Sequence, residues 1–255
     1  LDKTKFYQAS TSELFGLVQE DVQSETTPFY PRSPYAVSKL FGHWITVNYR
    51  EAYGMFASSG ILFNHESKKR ADTFVTRKIT RTLAKIFWGK DKVLKLGNLD
   101  AQRDWGHAED FVTMQWRILQ LEKPDDFVIA TGETRTVREF LEASANLLGI
   151  GLKFEGSGAD EKGIITNLSY TNLSDYPEIK AVNLRPGDVL VEIDPWYYRP
   201  SEVDRLIGDP SKSRKTLNFK AKHSFQDLVH EMVLADFETE RTQICGSIDD
   251  SNIQA

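Results

Sequence analysis

Apolar residues in this chain occur either in short continuous runs or at helical spacing over longer stretches. The run at 56–63 is apolar nearly throughout, which is typical of a strand buried on both faces of a sheet. Between 73 and 88, apolar residues recur every third or fourth position, which predicts an amphipathic helix. The alternation of such strands and helices predicts an α/β fold with a mostly parallel, doubly wound sheet.

The same pattern sets approximate bounds for each element. Predicted strands cover 5–10, 56–63, 93–96, 127–130, 152–154 and 189–193. Predicted helices cover 35–53, 73–88, 108–121, a stretch ending at 148, a short stretch after 210, and 224–240. Residues 97–106 are predicted to be a loop, and the polar segment before 189 has little periodicity. Local end signals are Ser33-Pro34 and Gly54 for one helix, and a capping box of Thr136 with Glu139 for another.

Tyr35 and Lys39 are the most informative polar pair, because both fall in the first turns of the helix predicted at 35–53. Residues four apart on a helix lie on one face. A free tyrosine phenol is ionised in only about one molecule in a thousand at pH 7, and a nearby cation favours the phenolate. Lys39 would therefore make Tyr35 a usable base. The same spacing also occurs at the start of ordinary amphipathic helices, so the pair alone leaves both interpretations open.

Thr11 and Glu13 follow the strand predicted at 5–10. Two residues apart in an extended segment, they are predicted to point to the same side. A hydroxyl and a carboxylate at a strand end, together with the Tyr35–Lys39 pair, favour a catalytic site. The alternative for Glu13 is a strand-end carboxylate in solvent.

Four motifs carry a family resemblance: Q-A-S-T-S-E-L-F-G at 8–16, T-T-P-F-Y-P-R-S-P-Y-A-V-S-K at 26–39, G-I-L-F-N-H-E-S at 60–67 and R-D-W-G-H at 103–107. They closely resemble the GDP-mannose 4,6-dehydratases, which are extended short-chain dehydrogenase/reductases acting on a nucleotide sugar. The resemblance extends from about Lys5 to about Asp236. The family's amino-terminal part has no counterpart in it.

The resemblance implies NADP as cofactor and GDP-mannose as substrate. The product would be GDP-4-dehydro-6-deoxy-mannose, on the route to GDP-fucose- and GDP-rhamnose-type sugars. Tyr35 would take the proton of the sugar C4 hydroxyl, and Lys39 would keep it ionised and bind the nicotinamide ribose. Thr11 would orient the same hydroxyl. Glu13 would remove the C5 proton, which the 4-ketone makes acidic, so that water leaves from C6.

Further contacts are implied by the same resemblance. His65 and Arg70 match cofactor-binding positions, and the implied substrate-binding positions are Asn64, Val75, Lys78, Arg103, Arg199 and Glu202. The residue after Arg70 is alanine where the family has glycine, which would stiffen this loop. Ordinary alternatives are a solvated basic loop for Arg70, a core residue for Val75 and a surface ion pair for Arg103.

The resemblance also implies a domain division. Residues 1–150 would be an incomplete NAD(P)-binding Rossmann-type part interleaved with a smaller α/β substrate lobe that caps the site. Residues 151–241 would be mainly that lobe with the last helix, and 242–255 a disordered tail. No G-x-x-G-x-x-G occurs, and Gly156-Ser-Gly158 reads as a turn. Because that loop holds the cofactor pyrophosphate in the family, this chain alone is expected to bind NADP⁺ poorly and to be weakly active or inactive.

Composition narrows the remaining choices. A chain of 255 residues, 40% hydrophobic and 27% charged, can bury a sizeable core. The net charge of −5 argues against nucleic acid as a partner, and no apolar run approaches the roughly 18 residues of a membrane span. One cysteine excludes an internal disulfide and fits a cytoplasmic protein, while five scattered histidines show no metal-ligand spacing, so no metal is expected.

Alternatives to a dehydratase remain. A nucleotide-sugar epimerase or decarboxylase of the same superfamily shares Tyr-x-x-x-Lys, although the motifs at 60–67 and 103–107 favour the GDP-mannose enzyme. A non-catalytic fragment acting as an assembly partner is the alternative from another class. The relatives assemble as dimers or tetramers, so a homo-oligomer is expected.

Overall fold

The computed structural model of the protein describes residues 3–176, 179, 182–197 and 205–252. The strands are β1 (Phe6–Thr11), β2 (Ala57–Leu62), β3 (Asn64–Glu66), β4 (Leu94–Leu96), β5 (Gln102–Arg103), β6 (Trp105–His107), β7 (Asp126–Ile129), β8 (Arg135–Thr136), β9 (Ile150–Glu155), β10 (Lys162–Leu168) and β11 (Val189–Ile193). The helices are α1 (Pro34–Tyr53), α2 (Val75–Phe87), α3 (Ala108–Ile118), α4 (Val137–Leu147), α5 (Ser211–Leu217) and α6 (Phe225–Asn252). In the described part of the chain, none of these helices has the length and apolarity that crossing a bilayer requires.

The chain divides into two units, each built from three separate segments. Unit 1 comprises Leu1–Glu66, Ala101–Arg135 and Pro200–Phe225, and unit 2 comprises Ser67–Asp100, Thr136–Arg199 and Gln226–Ala255. A single boundary at 150 therefore does not describe the division, because residues 67–100 and 136–150 group with the later part of the chain.

The sheet of unit 1 is the parallel sheet that the sequence predicts. Its order is β1-β2-β7, and its register runs from Phe6 opposite Ala57 to Thr11 opposite Leu62. Every residue of β2 is buried, as expected of a central parallel strand covered on both faces. The predicted strand at 56–63 is confirmed to within one residue at each end.

Helix α1 begins and ends where its local signals predict. The Ser33 hydroxyl accepts a hydrogen bond from the Ala36 backbone N–H (3.1 Å), and Pro34 occupies the first helical position. Gly54 ends the helix with φ of +64°, a conformation that costs little only for glycine.

A two-fold hydrogen-bonded ion pair fixes the last turn of α1 to the sheet. The Arg50 guanidinium donates to both oxygens of Asp126 on β7 (2.9 and 2.7 Å) and to the Ala57 carbonyl (2.9 Å). Asp126 also accepts from the Ser59 N–H (3.0 Å). Burial opposes ionisation of this carboxyl, but the hydrogen bonds and charge of Arg50 outweigh that effect and hold the pKa of Asp126 below its ordinary value.

Unit 2 contains a strand that the sequence pattern does not reveal. Its sheet has the order β4-β11-β10-β9, in which β10 is antiparallel to both neighbours while β4 and β11 are parallel. The register of β10 shifts between Gly163 and Ile164 and again between Ile165 and Asn167. These irregularities disturb the alternation of apolar and polar residues, so this part of the polar segment showed little periodicity. The predicted capping box of Thr136 and Glu139 is present at the start of α4.

The prediction of a disordered tail from residue 242 is wrong as far as Asn252. Helix α6 continues to that residue. The Thr242 hydroxyl donates to the Glu238 carbonyl (2.8 Å), and Lys90 donates to the Gln243 side-chain oxygen (3.0 Å). The loss of apolar periodicity after 240 signals the end of a buried face, but no proline interrupts the backbone ladder there. Residues 253–255 lie outside the described residues.

Replacing Asp126 by asparagine is expected to lower the free energy of unfolding by about 3 kcal/mol, because the mostly buried Arg50 loses its countercharge. A carboxyl whose pKa is lowered by folding adds stability above its unfolded pKa and loses it as the pH falls through the folded pKa. Urea unfolding from neutral pH to about pH 3 should therefore show a loss of stability that the Asp126→Asn variant partly lacks.

Asp125→Asn is the matched control. Asp125 is adjacent, its side chain is 51% exposed, and its ion pair with Lys212 (2.7 Å) is worth at most about 1 kcal/mol. Equal losses in the two variants would contradict an anchoring role for Asp126.

Candidate active site

The end of β1 turns directly into a short 3-10 helix at Ser12–Leu14. The Thr11 hydroxyl oxygen accepts a hydrogen bond from the Glu13 N–H (3.2 Å). Leu14 and Phe15 are fully buried, which fixes the turn against the core, and Glu13 is half-buried. The prediction that Thr11 and Glu13 share one side of an extended segment is therefore wrong, because the chain leaves the extended conformation after Thr11.

Gly16 allows the loop before α1 to return to this turn. Its φ is +52°, and a Cβ on Gly16 would overlap the Tyr30 carbonyl oxygen. Around it, Tyr30 donates to the Leu14 carbonyl and Leu17 donates to the Tyr30 carbonyl, both at 3.0 Å. Helix α1 begins four residues after Tyr30 and packs against the Ser12–Leu14 turn. The close approach at Gly16 thus brings Thr11 and Glu13 near the start of the helix that carries Tyr35.

Tyr35 and Lys39 lie on one face of α1, as their spacing predicts. The Lys39 ammonium is 5.7 Å from the centre of the Tyr35 ring and donates to the Ala9 carbonyl on β1 (3.0 Å). The Tyr35 side chain is 53% exposed. Lys39 therefore links the candidate base to the strand that ends in Thr11, and Tyr35 remains accessible to a ligand.

A small parallel pair of strands presents Asn64 and His65. Strand β3 pairs with β6, so part of the loop predicted at 97–106 is regular structure. The Asn64 amide oxygen is buried and has no hydrogen-bond partner among the described residues. His65 donates from Nδ1 to the Phe63 carbonyl (2.8 Å), and its ring stacks on that of Phe111 at 4.9 Å. These contacts orient the His65 ring and leave a polar atom of Asn64 for a ligand to satisfy.

Arg103 lies on β5, beside a buried carboxylate. The Arg103 guanidinium donates to the Gln102 carbonyl (2.9 Å). Asp104 is fully buried and accepts from the Thr131 N–H (2.8 Å), the Thr131 hydroxyl (2.7 Å) and the Gly132 N–H (2.9 Å). Burial raises the pKa of Asp104, and hydrogen bonds from Thr131 oppose that rise. Asp104 fixes the position of the β5–β6 segment. In the sequence, its place between Arg103 and Trp105 gives only a weak signal of this role.

Arg70, Val75 and Lys78 belong to unit 2. The Arg70 guanidinium lies 3.4 Å from the centre of the Phe74 ring. Phe74 is 44% exposed and immediately precedes α2, so the helix begins two residues later than the predicted start at 73. Val75 is half-buried at the first position of α2, and the Lys78 ammonium is buried one turn further on. Arg199 and Glu202 lie outside the described residues.

Unit 1 brings together three possible metal ligands from two separate stretches of the sequence. Donor atoms of His107, Glu109 and His223 lie within 4.8 Å of one another. However, His107 Nδ1 already accepts from the Glu109 N–H (3.2 Å), and His223 Nδ1 faces a carboxylate oxygen of Asp110 (3.2 Å). The two imidazoles stack at 4.0 Å with an angle of 25°. Nearly parallel rings do not direct their remaining nitrogens to one point, so this geometry is that of a ring stack.

Comparison with known proteins assigns this arrangement to a family. The model of the family "GDP-mannose 4,6 dehydratase" matches residues 1–232. Among curated relatives, the GDP-mannose 4,6-dehydratase of Vibrio cholerae is 58% identical over 235 residues, covering 92% of this chain and 61% of that protein. The human protein of that name is 51% identical over 242 residues, covering 95% of this chain and 60% of that protein. The chain thus spans about three fifths of these relatives' length.

Solved structures share the fold at low sequence identity. RMD from Pseudomonas aeruginosa, complexed with NADPH, has a TM-score of 0.69 at 18% identity and covers 92% of this chain and 66% of that chain. The dTDP-glucose 4,6-dehydratase of Bacillus anthracis, in complex with NAD, has a TM-score of 0.68 at 19% identity, covering 93% and 63%. The predicted Rossmann-type fold class is confirmed.

Replacing Gly16 by alanine is expected to lower the free energy of unfolding by about 3 kcal/mol, because it adds an overlap with the Tyr30 carbonyl to the cost of a positive φ. Gly54→Ala is the control, since Gly54 has a similar φ of +64° but open space around it, and should cost about 1–2 kcal/mol. Urea unfolding measures both. Equal losses of stability in the two variants would mean that the contact of Gly16 with the Tyr30 carbonyl does not constrain this turn.

Proposed function

Because this chain belongs to the GDP-mannose 4,6-dehydratase family, we propose that it carries the catalytic residues for converting GDP-mannose to GDP-4-dehydro-6-deoxy-mannose with NADP, as a cytoplasmic homo-oligomer. The observation that carries this proposal is the Lys39–Tyr35 face of α1, held beside the turn that contains Thr11 and Glu13. These four residues supply a base, a cation, a hydroxyl donor and a carboxylate.

Oxidation at C4 of the sugar needs a group to take the hydroxyl proton. Tyr35 is the proposed acceptor, since its side chain is exposed and the Lys39 ammonium lies 5.7 Å from the centre of its ring. The Thr11 oxygen already accepts a bond from the Glu13 N–H, so its own proton is directed to another acceptor, the substrate O4. Thr11 thereby orients the hydroxyl towards Tyr35.

Elimination of water needs a second base, which removes the proton from C5. The 4-ketone acidifies the C5 proton, and the Glu13 carboxylate removes it while the C6 hydroxyl leaves as water. The hydrogen bond between Thr11 and the Glu13 N–H holds the two residues at a fixed separation.

The residues present fit the nicotinamide-ribose end of the cofactor. The Lys39 ammonium has three N–H donors, and among the described residues one of them is used, on the Ala9 carbonyl. The other donors are available for ribose hydroxyls. NADP⁺, when bound, supplies the two-electron oxidant for C4 and returns the same electrons to the sugar. His65 and Arg70 are proposed as further cofactor contacts.

The substrate contacts are proposed on charge and on unsatisfied polar atoms. The Arg103 guanidinium and the buried Lys78 ammonium are each proposed as a phosphate contact within their own unit, since cations bind phosphate by charge-assisted hydrogen bonds. The Asn64 amide oxygen suits a sugar hydroxyl. The other proposed contacts are Val75, Arg199 and Glu202.

An apolar stripe on α1 supports the proposed homo-oligomer. Val37, Phe41, Trp44 and Ile45 are spaced so that they share one face, and they are 55%, 69%, 56% and 41% exposed. Four large apolar side chains in one exposed stripe are typical of a contact surface. A second copy is the proposed occupant, because a helix stripe can pack on its own two-fold mate.

At saturating NADP⁺, and relative to the turnover of GDP-mannose that the unaltered chain retains, Tyr35→Phe is expected to lower the rate by roughly 10²–10⁴-fold and to prevent cofactor reduction, because the first proton has no acceptor. Glu13→Gln should allow C4 oxidation but not elimination, so that one equivalent of reduced cofactor accumulates. Mass spectrometry for loss of water and near-ultraviolet absorbance for the cofactor measure the two steps.

Tyr49→Phe is the control, since Tyr49 is an exposed tyrosine on the same helix and should leave both steps unchanged. Loss of water from GDP-mannose at an undiminished rate in Glu13→Gln would refute its assignment. Titration with NADP⁺ tests the separate expectation of weak cofactor binding, which micromolar affinity would contradict.

Phe41→Glu with Trp44→Glu is expected to convert the homo-oligomer to monomers, because it places charges in the centre of the apolar stripe. Light scattering coupled to size exclusion measures the mass. Tyr53→Glu is the control, since Tyr53 is 72% exposed on the same helix but lies outside the stripe. An unchanged mass in the double variant would remove α1 from the interface.

A further inference from the structure

Lys78 presents a buried positive charge without a hydrogen-bond acceptor. Its ammonium has no such partner among the described residues. Instead, it lies over the face of the Tyr197 ring, 3.1 Å from the ring centre. An ammonium removed from water costs free energy unless something compensates its charge. In this part of unit 2, the π-face of Tyr197 provides that compensation.

The carboxylate in the same turn is engaged elsewhere. Asp194 accepts from the Trp196 N–H (3.0 Å) and lies 3.9 Å from the Lys95 ammonium. A carboxylate on Lys78 would cancel its charge and occupy its N–H donors. An aromatic face stabilises the cation while leaving its charge uncancelled and its donors available.

The position of Tyr197 is fixed by the backbone around it. Strands β4 and β11 pair in parallel up to Leu96 and Ile193, and Asp194 then donates to the Leu96 carbonyl (2.8 Å). Tyr197 closes the following turn by donating to the Asp194 carbonyl (3.0 Å). A Cβ on Gly97 would lie 2.7 Å from the Tyr197 carbonyl oxygen, so this turn sits against a residue that has no side chain.

We propose that Tyr197 is a positioning residue, whose ring holds the Lys78 ammonium in place of a carboxylate and keeps its charge available for the diphosphate of the nucleotide sugar. The identity of that ligand rests on the proposed function. The anionic class of ligand follows from the charge of Lys78, for which the described residues supply no hydrogen-bond acceptor. Tyr197 acts through Lys78 and needs no contact with the ligand.

Calorimetric titration of the full chain with GDP, guanosine and inorganic pyrophosphate tests the proposal. Tyr197→Leu is expected to weaken GDP and pyrophosphate binding roughly tenfold, because the cation–π contact of a desolvated lysine is lost. Tyr197→Phe keeps the ring and should stay within about twofold. Lys78→Met should weaken both anions at least as much as Tyr197→Leu, and guanosine binding should be the same in all variants. Weaker guanosine binding in Tyr197→Leu would show a merely structural role and overturn the proposal.

A fluorinated series separates electrostatics from packing if the leucine variant fails to fold. Phenylalanine with one, two or three ring fluorines at position 197 retains the shape of the ring while progressively weakening its negative face. Stepwise loss of pyrophosphate affinity with each fluorine is the expected result. Equal affinity across the series would overturn the proposal.

The outcomes also distinguish this inference from the proposed function. If the protein dehydrates GDP-mannose but its pyrophosphate affinity is unchanged by substitution of Lys78 or Tyr197, the proposed function stands and the inference is overturned. If the protein leaves GDP-mannose intact but its pyrophosphate affinity depends on both residues as expected, the inference stands and the proposed function is not supported. No measurable binding of pyrophosphate to the native chain overturns the inference directly.

Discussion

The contact between the Tyr30 carbonyl and Gly16 is the constraint on which the candidate site depends. Thr11 ends a strand and Glu13 lies in the turn that follows, whereas Tyr35 and Lys39 lie at the start of a helix after a long polar loop. Two backbone hydrogen bonds made by Tyr30 close that loop onto the strand-end turn. Only a residue without a side chain permits the approach, so the proximity of the two segments of the candidate site is set by backbone packing.

Helix α1, which carries Tyr35 and Lys39, is fixed at both ends. At its start, Ser33 and Pro34 define the first turn, and the return of Tyr30 places it beside the strand end. At its end, Arg50 is bonded to Asp126 and Ala57 of two different strands. A helix held in this way keeps Tyr35 and Lys39 in position while the Tyr35 side chain remains exposed to a ligand.

Sequence reasoning succeeded for several local signals, although the extended conformation predicted from Thr11 to Glu13 was wrong. The ends of α1, the capping box of α4 and the buried run of β2 each depend on residues within a few positions of one another. It failed where a partner distant in sequence decides the outcome. Strand β10 exists because β9 and β11 flank it, and Asp104 is buried because Thr131 and Gly132 satisfy it. The contact of Tyr197 with Lys78 depends likewise on the pairing of β4 with β11.

The chain passes repeatedly between the two units, which limits how either unit can be exchanged or isolated. The chain changes unit five times, after residues 66, 100, 135, 199 and 225. A chimera that borrows the nucleotide preference of a homologue would therefore have to exchange three separate stretches together. Cleavage at any one junction would leave at least one of the two pieces with segments of both units, so neither unit can be obtained whole by a single cut.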